Sequence, residues 1–220
     1  MATQAEPQSF QDRAFFPSFR DCPLEHAWDD RYLVEYGETA GVNRKHWCLL
    51  GDIIQADTMI RPRIVAKDHK GDRFVVAFYP DDPDDMPRLL KDFKVGNTIA
   101  IFYPLVHRFL DGSVGVRIED SDEVLIIPLG FKDVIKMNEQ VLKYTVAEGT
   151  QRKCHGCDDV KVNVNACARC TLFYYCNRDC QAKAWSEKEH KKFCKTLSRK
   201  DIKLMHFLKY ETYDGSISFK

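Results

Sequence analysis

Eight residues in the last third of the chain have the side chains and the spacing of zinc ligands. They form four pairs, with two or three residues between the members of each pair: Cys154 and Cys157, Cys167 and Cys170, Cys176 and Cys180, His190 and Cys194. Zinc takes four tetrahedral ligands from thiolates and imidazoles, and each pair presents two donors from a single turn of the chain. Eight donors therefore predict two zinc ions. Spacing alone permits both a sequential and an interleaved assignment of the pairs.

The distribution of cysteines indicates metal binding rather than disulfide bonds. Seven of the nine cysteines lie within residues 154–194, and only Cys22 and Cys48 precede them. The first residues lack the positive flank and the apolar stretch of a secretory signal, so we expect an intracellular protein, in the nucleus or the cytoplasm, with reduced thiols. His155 lies inside the first pair and is an alternative ligand, although adjacent residues rarely face the same ion.

The predicted zinc sites are structural. A segment of about 70 residues can hardly build a sufficient apolar core, and a structural zinc contributes on the order of 10–16 kcal/mol of apparent binding energy. Four protein ligands leave no open position for water or substrate, so neither ion is expected to be catalytic. Cys48 lies on a predicted strand near His46 with no orienting acid, which favours a buried core thiol over a nucleophile. The sequence therefore predicts no enzyme.

Residues around the cysteines carry a family resemblance. The order of the eight ligands, Tyr175 before Cys176, Gln181 after Cys180, Trp185, and the closing segment HKKFC resemble a MYND-type zinc finger over about residues 154–194. In that family the pairs interleave. The resemblance thus implies two four-ligand sets, one of Cys154, Cys157, Cys176 and Cys180, the other of Cys167, Cys170, His190 and Cys194.

The resemblance also implies a partner. MYND fingers bind short proline-containing segments of other proteins near the glutamine and the tryptophan, which makes Gln181 and Trp185 the candidate peptide contacts. Two features depart from the family pattern. The gap between Cys180 and His190 is two residues longer than in the commonest form, and Ala184 occupies a position that is often acidic.

Two related families offer alternatives. A RING-like finger for ubiquitin transfer fits the pair order and the gaps of five and nine residues less well than a MYND finger does. Some MYND fingers are embedded in lysine methyltransferases, whose SET portion contains an Asn-His cofactor motif. The chain contains no such motif, so a non-catalytic relative or fragment of such an enzyme is the alternative interpretation.

A β-rich region precedes the finger. Short segments rich in Val, Ile, Phe and Tyr, separated by turn residues, predict strands between Trp47 and Leu129. After the third strand, Asp84 or Asp85 can cap a short helix, Pro87 fits its first turn and Gly96 can end it. Three strands, a helix and two or three more strands is the element order of an OB-type barrel. Another small antiparallel barrel or sandwich is the alternative.

The remaining segments complete an α+β fold, in which a small antiparallel OB-like β-barrel domain precedes a cross-braced two-zinc MYND-type finger with C-terminal helices. Apolar residues at spacings of three or four predict a linking helix through Val134 and Tyr144. They also predict a C-terminal helix with Leu204, Phe207 and Leu208 on its apolar face and Ile202 and Met205 beside that face. The predicted regions are an extended lead-in (1–46), the OB-like barrel (47–130), the linking helix (131–150), the finger (151–196), and the C-terminal helix and tail (197–220).

Charge separates the two halves. Residues 1–150 hold 18 basic and 25 acidic side chains, a net charge of −7, and residues 151–220 hold 15 and 8, a net charge of +7. The longest apolar run, residues 99–106, is far shorter than the roughly 18 residues of a membrane helix, so no membrane partner is expected. We therefore expect a protein-interaction module.

Single-stranded nucleic-acid binding by the barrel is the alternative function. It would use aromatic side chains as stacking platforms and a local stripe of basic residues. The acidic net charge of the region disfavours this alternative. The candidates are Phe78, Tyr79 and Tyr103 for stacking, and Arg61, Arg63 and Lys67 for the stripe.

Overall fold

The computed structural model describes residues 6–36, 40–57, 62–79, 87–145, 147–148 and 150–219. These residues form two compact units. The first, called the barrel unit here, contains residues 10–134 and 209–219; the second, the finger unit, contains residues 6–9 and Ile135–Leu208.

The barrel unit contains a β-hairpin and one curved β-sheet. A hairpin of β1 (Leu33–Tyr36) and β2 (Ala40–Asn43) precedes the sheet. Within the described residues the sheet has seven strands in the order β7-β8-β5-β4-β3-β6-β9. They are β3 (Cys48–Asp57), β4 (Arg63–Lys67), β5 (Arg73–Phe78), β6 (Thr98–Phe102), β7 (Val106–Arg108), β8 (Val114–Ile118) and β9 (Val124–Ile127).

The strand pairing is that of an OB-type barrel. β3, β4 and β5 form an antiparallel meander, and β8 lies parallel to β5. β6 pairs with β3, whereas β7, three residues further on, pairs with β8. The bent segment β6–β7 therefore connects both ends of the five-stranded arrangement and closes it. The predicted OB-like fold is confirmed, with β9 as an additional strand beside β6.

A single apolar cluster fills the barrel. Leu49, Ile64, Ile99 and Val124 are completely buried in it, each from a different strand. The aromatic ring of Phe19, from the segment before the barrel, stacks on Phe74 at a centroid distance of 4.8 Å. The predicted lead-in 1–46 thus contains a hairpin and contributes a side chain to the barrel core.

The helix between β5 and β6 is shorter than predicted. Helix α1 spans Pro87–Leu90, so Pro87 is its first residue, as expected. It does not continue to Gly96, because the amides of Asp92 and Phe93 already bond three residues back. Gly96 instead adopts a positive φ of 89° and its N–H donates to the Ile53 carbonyl. The predicted caps Asp84 and Asp85 lie outside the described residues.

The finger unit is held by helices and very short strands. Helix α2 (Phe131–Tyr144) begins in the barrel unit and enters the finger unit at Ile135. The strands are β10 (Ala147–Glu148), β11 (Gln151–Lys153), β12 (Val160–Lys161), β13 (Asn165–Ala166) and β14 (Tyr174–Tyr175). The remaining helices are α3 (Arg178–Glu187), α4 (His190–Leu197) and α5 (Lys200–Phe207).

The buried face of α5 contains only part of the predicted apolar side. Ile202, Met205 and His206 are completely buried, whereas Leu204 is 40% exposed. A histidine is tolerated on the buried face because its Nδ1 bonds with the Ile202 carbonyl at 2.7 Å, which satisfies a polar atom without water. The packed face therefore contains Ile202 and Met205 of the predicted apolar side, whereas Leu204 is exposed.

Candidate metal centre

The first candidate zinc group consists of Cys154, Cys157, Cys176 and Cys180, whose sulfur atoms all lie within 4.8 Å of one another. A β-bridge between Cys154 and Tyr174 brings the first and third cysteine pairs together. Asn177 caps α3 by accepting a hydrogen bond from the Cys180 N–H at 2.9 Å. The cap fixes the first turn of α3 and thereby orients Cys180 toward the other three sulfurs.

The second candidate zinc group consists of Cys167, Cys170, His190 and Cys194, all of which are buried. The Cys167 N–H donates to the Phe173 carbonyl at 2.8 Å, and this bond closes the turn that carries Cys170. His190 is the first residue of α4, and Cys194 follows four residues later, so the two side chains share one face of that helix. The structure brings together the same two sets that the family resemblance implies.

Distances within the groups match zinc coordination. Two sulfur pairs, Cys157–Cys176 and Cys167–Cys194, are each 3.7 Å apart. Zinc–sulfur bonds of about 2.3 Å place two tetrahedral ligands about 3.8 Å apart, whereas a disulfide requires about 2.05 Å. His190 Nε2 lies 3.5 and 3.8 Å from the Cys167 and Cys170 sulfurs, against about 3.6 Å for a tetrahedral nitrogen and sulfur. The two groups therefore fit two zinc ions.

Burial keeps the imidazole of the second group neutral. Desolvation lowers the pKa of His190 to about 4, so the ring is unprotonated at neutral pH. Its Nε2 faces the sulfurs, and a neutral ring nitrogen is the form that coordinates zinc. Four protein donors complete each group, which is the donor set of structural rather than catalytic zinc sites.

His155 lies outside both groups. Its Nε2 is 3.1 Å from Gln140 Oε1, and its ring centroid is 4.1 Å from that of Phe173. Burial, with a smaller contribution from the charge of Lys188, lowers the pKa of His155 to about 3. The residue is thus a neutral packing side chain that joins the turn of the first group to α2 within the finger unit, and the alternative that it replaces a cysteine is wrong.

Gly156 is a site residue that the sequence reasoning missed. A β-carbon at this position would lie 2.4 Å from the Cys180 carbonyl oxygen and 2.6 Å from the Cys180 β-carbon. Its N–H also donates to the Cys154 sulfur at 3.4 Å. Only a residue without a side chain lets the Cys154–Cys157 turn approach α3 this closely. The sequence signal for this role was a glycine between the two cysteines of one ligand pair.

Comparison with known families agrees with this geometry. The model of the MYND finger family matches residues 154–194, which span all eight candidate ligands. These residues form a MYND finger. The curated "SET domain and MYND-type zinc finger protein 6" of Schizosaccharomyces pombe is 37% identical over 71 residues, which are 32% of this chain. The match spans 14% of that relative's length.

Two solved structures show low similarity to this chain. The S. pombe Stn1-ten1 complex matches with a TM-score of 0.30 and 16% identity, covering 46% of this chain and 68% of the other. The mitochondrial single-stranded DNA binding protein Rim1 of S. cerevisiae matches with a TM-score of 0.26 and 11% identity, covering 40% and 98%. Both scores are low, and the OB-like assignment rests on the strand pairing of the barrel.

The MYND finger exposes the two candidate peptide contacts together. Gln181 and Trp185 are both exposed and lie one helical turn apart on α3. The Trp185 ring is 38% exposed, and its centroid lies 5.6 Å from that of His190 in the second zinc group. Ala184, at the position that is often acidic in the family, is completely buried.

The two cysteines outside the finger and one candidate stacking residue of the barrel are buried. Cys22 and Cys48 are buried, and desolvation raises the pKa of both thiols, so neither is a nucleophile. Phe78 is 1% exposed within the barrel core and cannot stack on a ligand. Arg61 lies outside the described residues. No helix in the described part of the chain is long and apolar enough to span a bilayer.

Proposed function

We propose that the chain is a protein-interaction module in which two zinc ions organise a MYND finger that binds a short proline-containing segment of a partner. In this proposal the two candidate groups ligate one zinc each. Gln181 and Trp185 contact the peptide. The observation that supports the peptide surface is the half-exposed Trp185 ring held against His190.

The position of Trp185 suits a binding contact. A tryptophan whose ring rests on a metal-bound histidine is held in place before a ligand arrives, so less side-chain entropy is lost on binding. Interface tryptophans also contribute more binding energy than most other residues. The proposal includes no catalytic step, because each zinc group has four protein donors and the thiols outside the finger are buried.

A peptide titration with matched variants tests the proposal. A fluorescently labelled Pro-Leu-containing peptide is titrated with the zinc-loaded chain, with Trp185→Ala, and with Trp28→Ala, which removes a comparably exposed tryptophan from the barrel unit. We expect Trp185→Ala to weaken binding by about 5- to 30-fold, the range of an interface hot spot, and Trp28→Ala to bind like the parent chain. Equal affinities for all three would contradict the peptide surface.

The similarity to the curated relative covers only a small part of that protein. The name of the curated relative includes a SET domain, but the match spans 14% of that protein. We propose no methyl-transfer activity for this chain. An intracellular location is part of the proposal, because zinc ligation requires thiolates that a reducing compartment preserves.

A second candidate function is single-stranded nucleic-acid binding by the barrel. One observation favours it: arginine and aromatic side chains surround a concavity on the barrel unit, at residues 63, 79, 108, 109 and 117. An anisotropy titration of a labelled mixed-sequence oligonucleotide at about 50 mM salt tests this function, since phosphate contacts are strongest at low salt. No binding under these conditions would refute it.

A further inference from the structure

A concavity of about 610 Å³ opens on the barrel unit. Five of the residues that line it are arginine or large aromatic side chains, and together they are called the arginine concavity: Arg63, Tyr79, Arg108, Phe109 and Arg117. Its volume lies within the range of about 300–1,000 Å³ that is usual for ligand sites. It is distinct from both zinc groups, which belong to the finger unit.

Strand register places two of the arginines side by side. Arg63 of β4 is the partner of Ala77 in β5, and Ala77 is in turn the partner of Arg117 in β8. Residues that are directly paired across a sheet point to the same face, so both arginines flank the small side chain of Ala77. Ala77 is buried and lines the concavity between them.

The concavity is locally basic in an acidic region. Arg63 pairs with Asp111 at 3.1 Å and Arg117 with Glu119 at 2.9 Å, and all four side chains are at least 41% exposed. Arg108 is exposed, and no acid among the described residues forms an ion pair with it. Exposed pairs of this kind are weak and exchange readily for a stronger anion.

Aromatic rings orient the guanidinium groups. Arg117 lies 4.8 Å over the Tyr79 ring, and Arg63 lies 6.0 Å from the centre of the Phe109 ring. A guanidinium group presents a fork of N–H donors that matches phosphate oxygens, and a planar surface on which a base can stack. The combination suits a ligand that carries both phosphate and planar rings.

We propose that the arginine concavity binds one or two consecutive nucleotides of a single-stranded nucleic acid. The phosphates bind Arg108 and Arg117, and a base stacks against Phe109 and the guanidinium of Arg63. This inference rests on the second candidate function and adds the site at which it is carried out. A duplex keeps its bases stacked inside the helix, so it could not use the rings.

The test measures anisotropy of a labelled single-stranded 12-mer with the full zinc-loaded chain. The variants are the double substitution Arg108→Ala/Arg117→Ala, the ring variant Phe109→Leu, and the control Arg73→Ala. Arg73 is exposed at the opposite end of β5, so its removal changes the charge without touching the concavity. Circular dichroism and zinc content verify that each variant is folded.

We expect the double variant to bind at least 10-fold more weakly. Its slope of log affinity against log salt should be smaller by about 1.4, since each phosphate contact on a single strand contributes about 0.7. Phe109→Leu should weaken binding about 5-fold or more with an unchanged slope, because stacking is not ionic. Arg73→Ala should resemble the parent chain.

The possible outcomes distinguish an error in the proposed site from an error in the second candidate function. If the parent chain binds no oligonucleotide at about 50 mM salt, both the second candidate function and this site are refuted. If the parent and the double variant bind equally, nucleic-acid binding stands and the concavity is refuted as its site. Displacement of the 12-mer by equal concentrations of oligo-glutamate would overturn the assignment to a nucleic-acid strand.

Discussion

Replacing Gly156 by alanine should weaken the binding of one of the two zinc ions. The added β-carbon would lie 2.4–2.6 Å from three atoms of Cys180. Non-bonded carbon atoms pack at about 3.5–4.0 Å, so Cys180 would have to move by about 1 Å. Zinc–ligand distances vary by only about 0.2 Å. A movement of Cys180 by about 1 Å therefore exceeds what the first zinc group can accommodate.

The size of the effect follows from the strain. Overpacking of this kind costs about 1–3 kcal/mol, which corresponds to a loss of about 5- to 150-fold in zinc affinity at the first group. The second group should keep its affinity, because none of its ligands is among the atoms close to the added β-carbon. Competition with a chromophoric chelator should therefore show one ion released much earlier than the other.

A glycine in the barrel unit provides the control. At Gly115 a β-carbon would lie 2.0 Å from the Val75 carbonyl oxygen, so Gly115→Ala should destabilise the barrel while leaving both zinc affinities unchanged. If Gly156→Ala instead retains two ions with the affinity of the parent chain, the close approach of the turn to α3 is not required for metal binding. That result would refute the role assigned to Gly156.

Two further predictions concern stability. Removing zinc with a strong chelator should unfold the finger unit and leave a separate melting transition for the barrel unit, which has an apolar core of its own. A single calorimetric transition that disappears entirely on chelation would contradict this prediction. Burial raises the pKa of Glu123 to about 7. The contribution of this carboxyl group to folding stability is therefore fully present below its unfolded pKa of about 4.3 and is lost as the pH rises through about 7. Glu123→Gln should flatten the decrease in melting temperature between about pH 5 and about pH 8, and an unchanged decrease would show that Glu123 is not responsible.

The metal centre could be predicted from the sequence because its constraints are local. Two donors separated by two or three residues face one ion whatever surrounds them, and zinc then replaces the apolar core that so short a segment lacks. What spacing could not decide was which pairs share an ion. That depends on the β-bridge between Cys154 and Tyr174 and on the position of α3, both of which are contacts between distant residues.

Other features depended on tertiary contacts that no pattern reveals. In α5 the apolar pattern placed Ile202 and Met205 on the apolar side but not His206, whose ring is buried with them and bonds to the Ile202 carbonyl. Gly96 was a reasonable end for α1, yet its N–H bonds to Ile53 in β3 and the helix ends at Leu90. In each case a specific hydrogen-bond partner outweighed the intrinsic preference of the segment.

The net charge of a region does not describe its local charge distribution. The 25 acids of residues 1–150 disfavoured a nucleic-acid surface, but strand register aligns Arg63 and Arg117 on either side of Ala77. At about 0.15 M salt the Debye length is about 8 Å, so acids farther away than this hardly weaken phosphate binding at the concavity. At about 0.01 M it is about 30 Å, and distant acids then repel the strand. Oligonucleotide affinity should therefore stop rising below about 0.01 M salt, and a linear increase through this range would contradict this account of the local site.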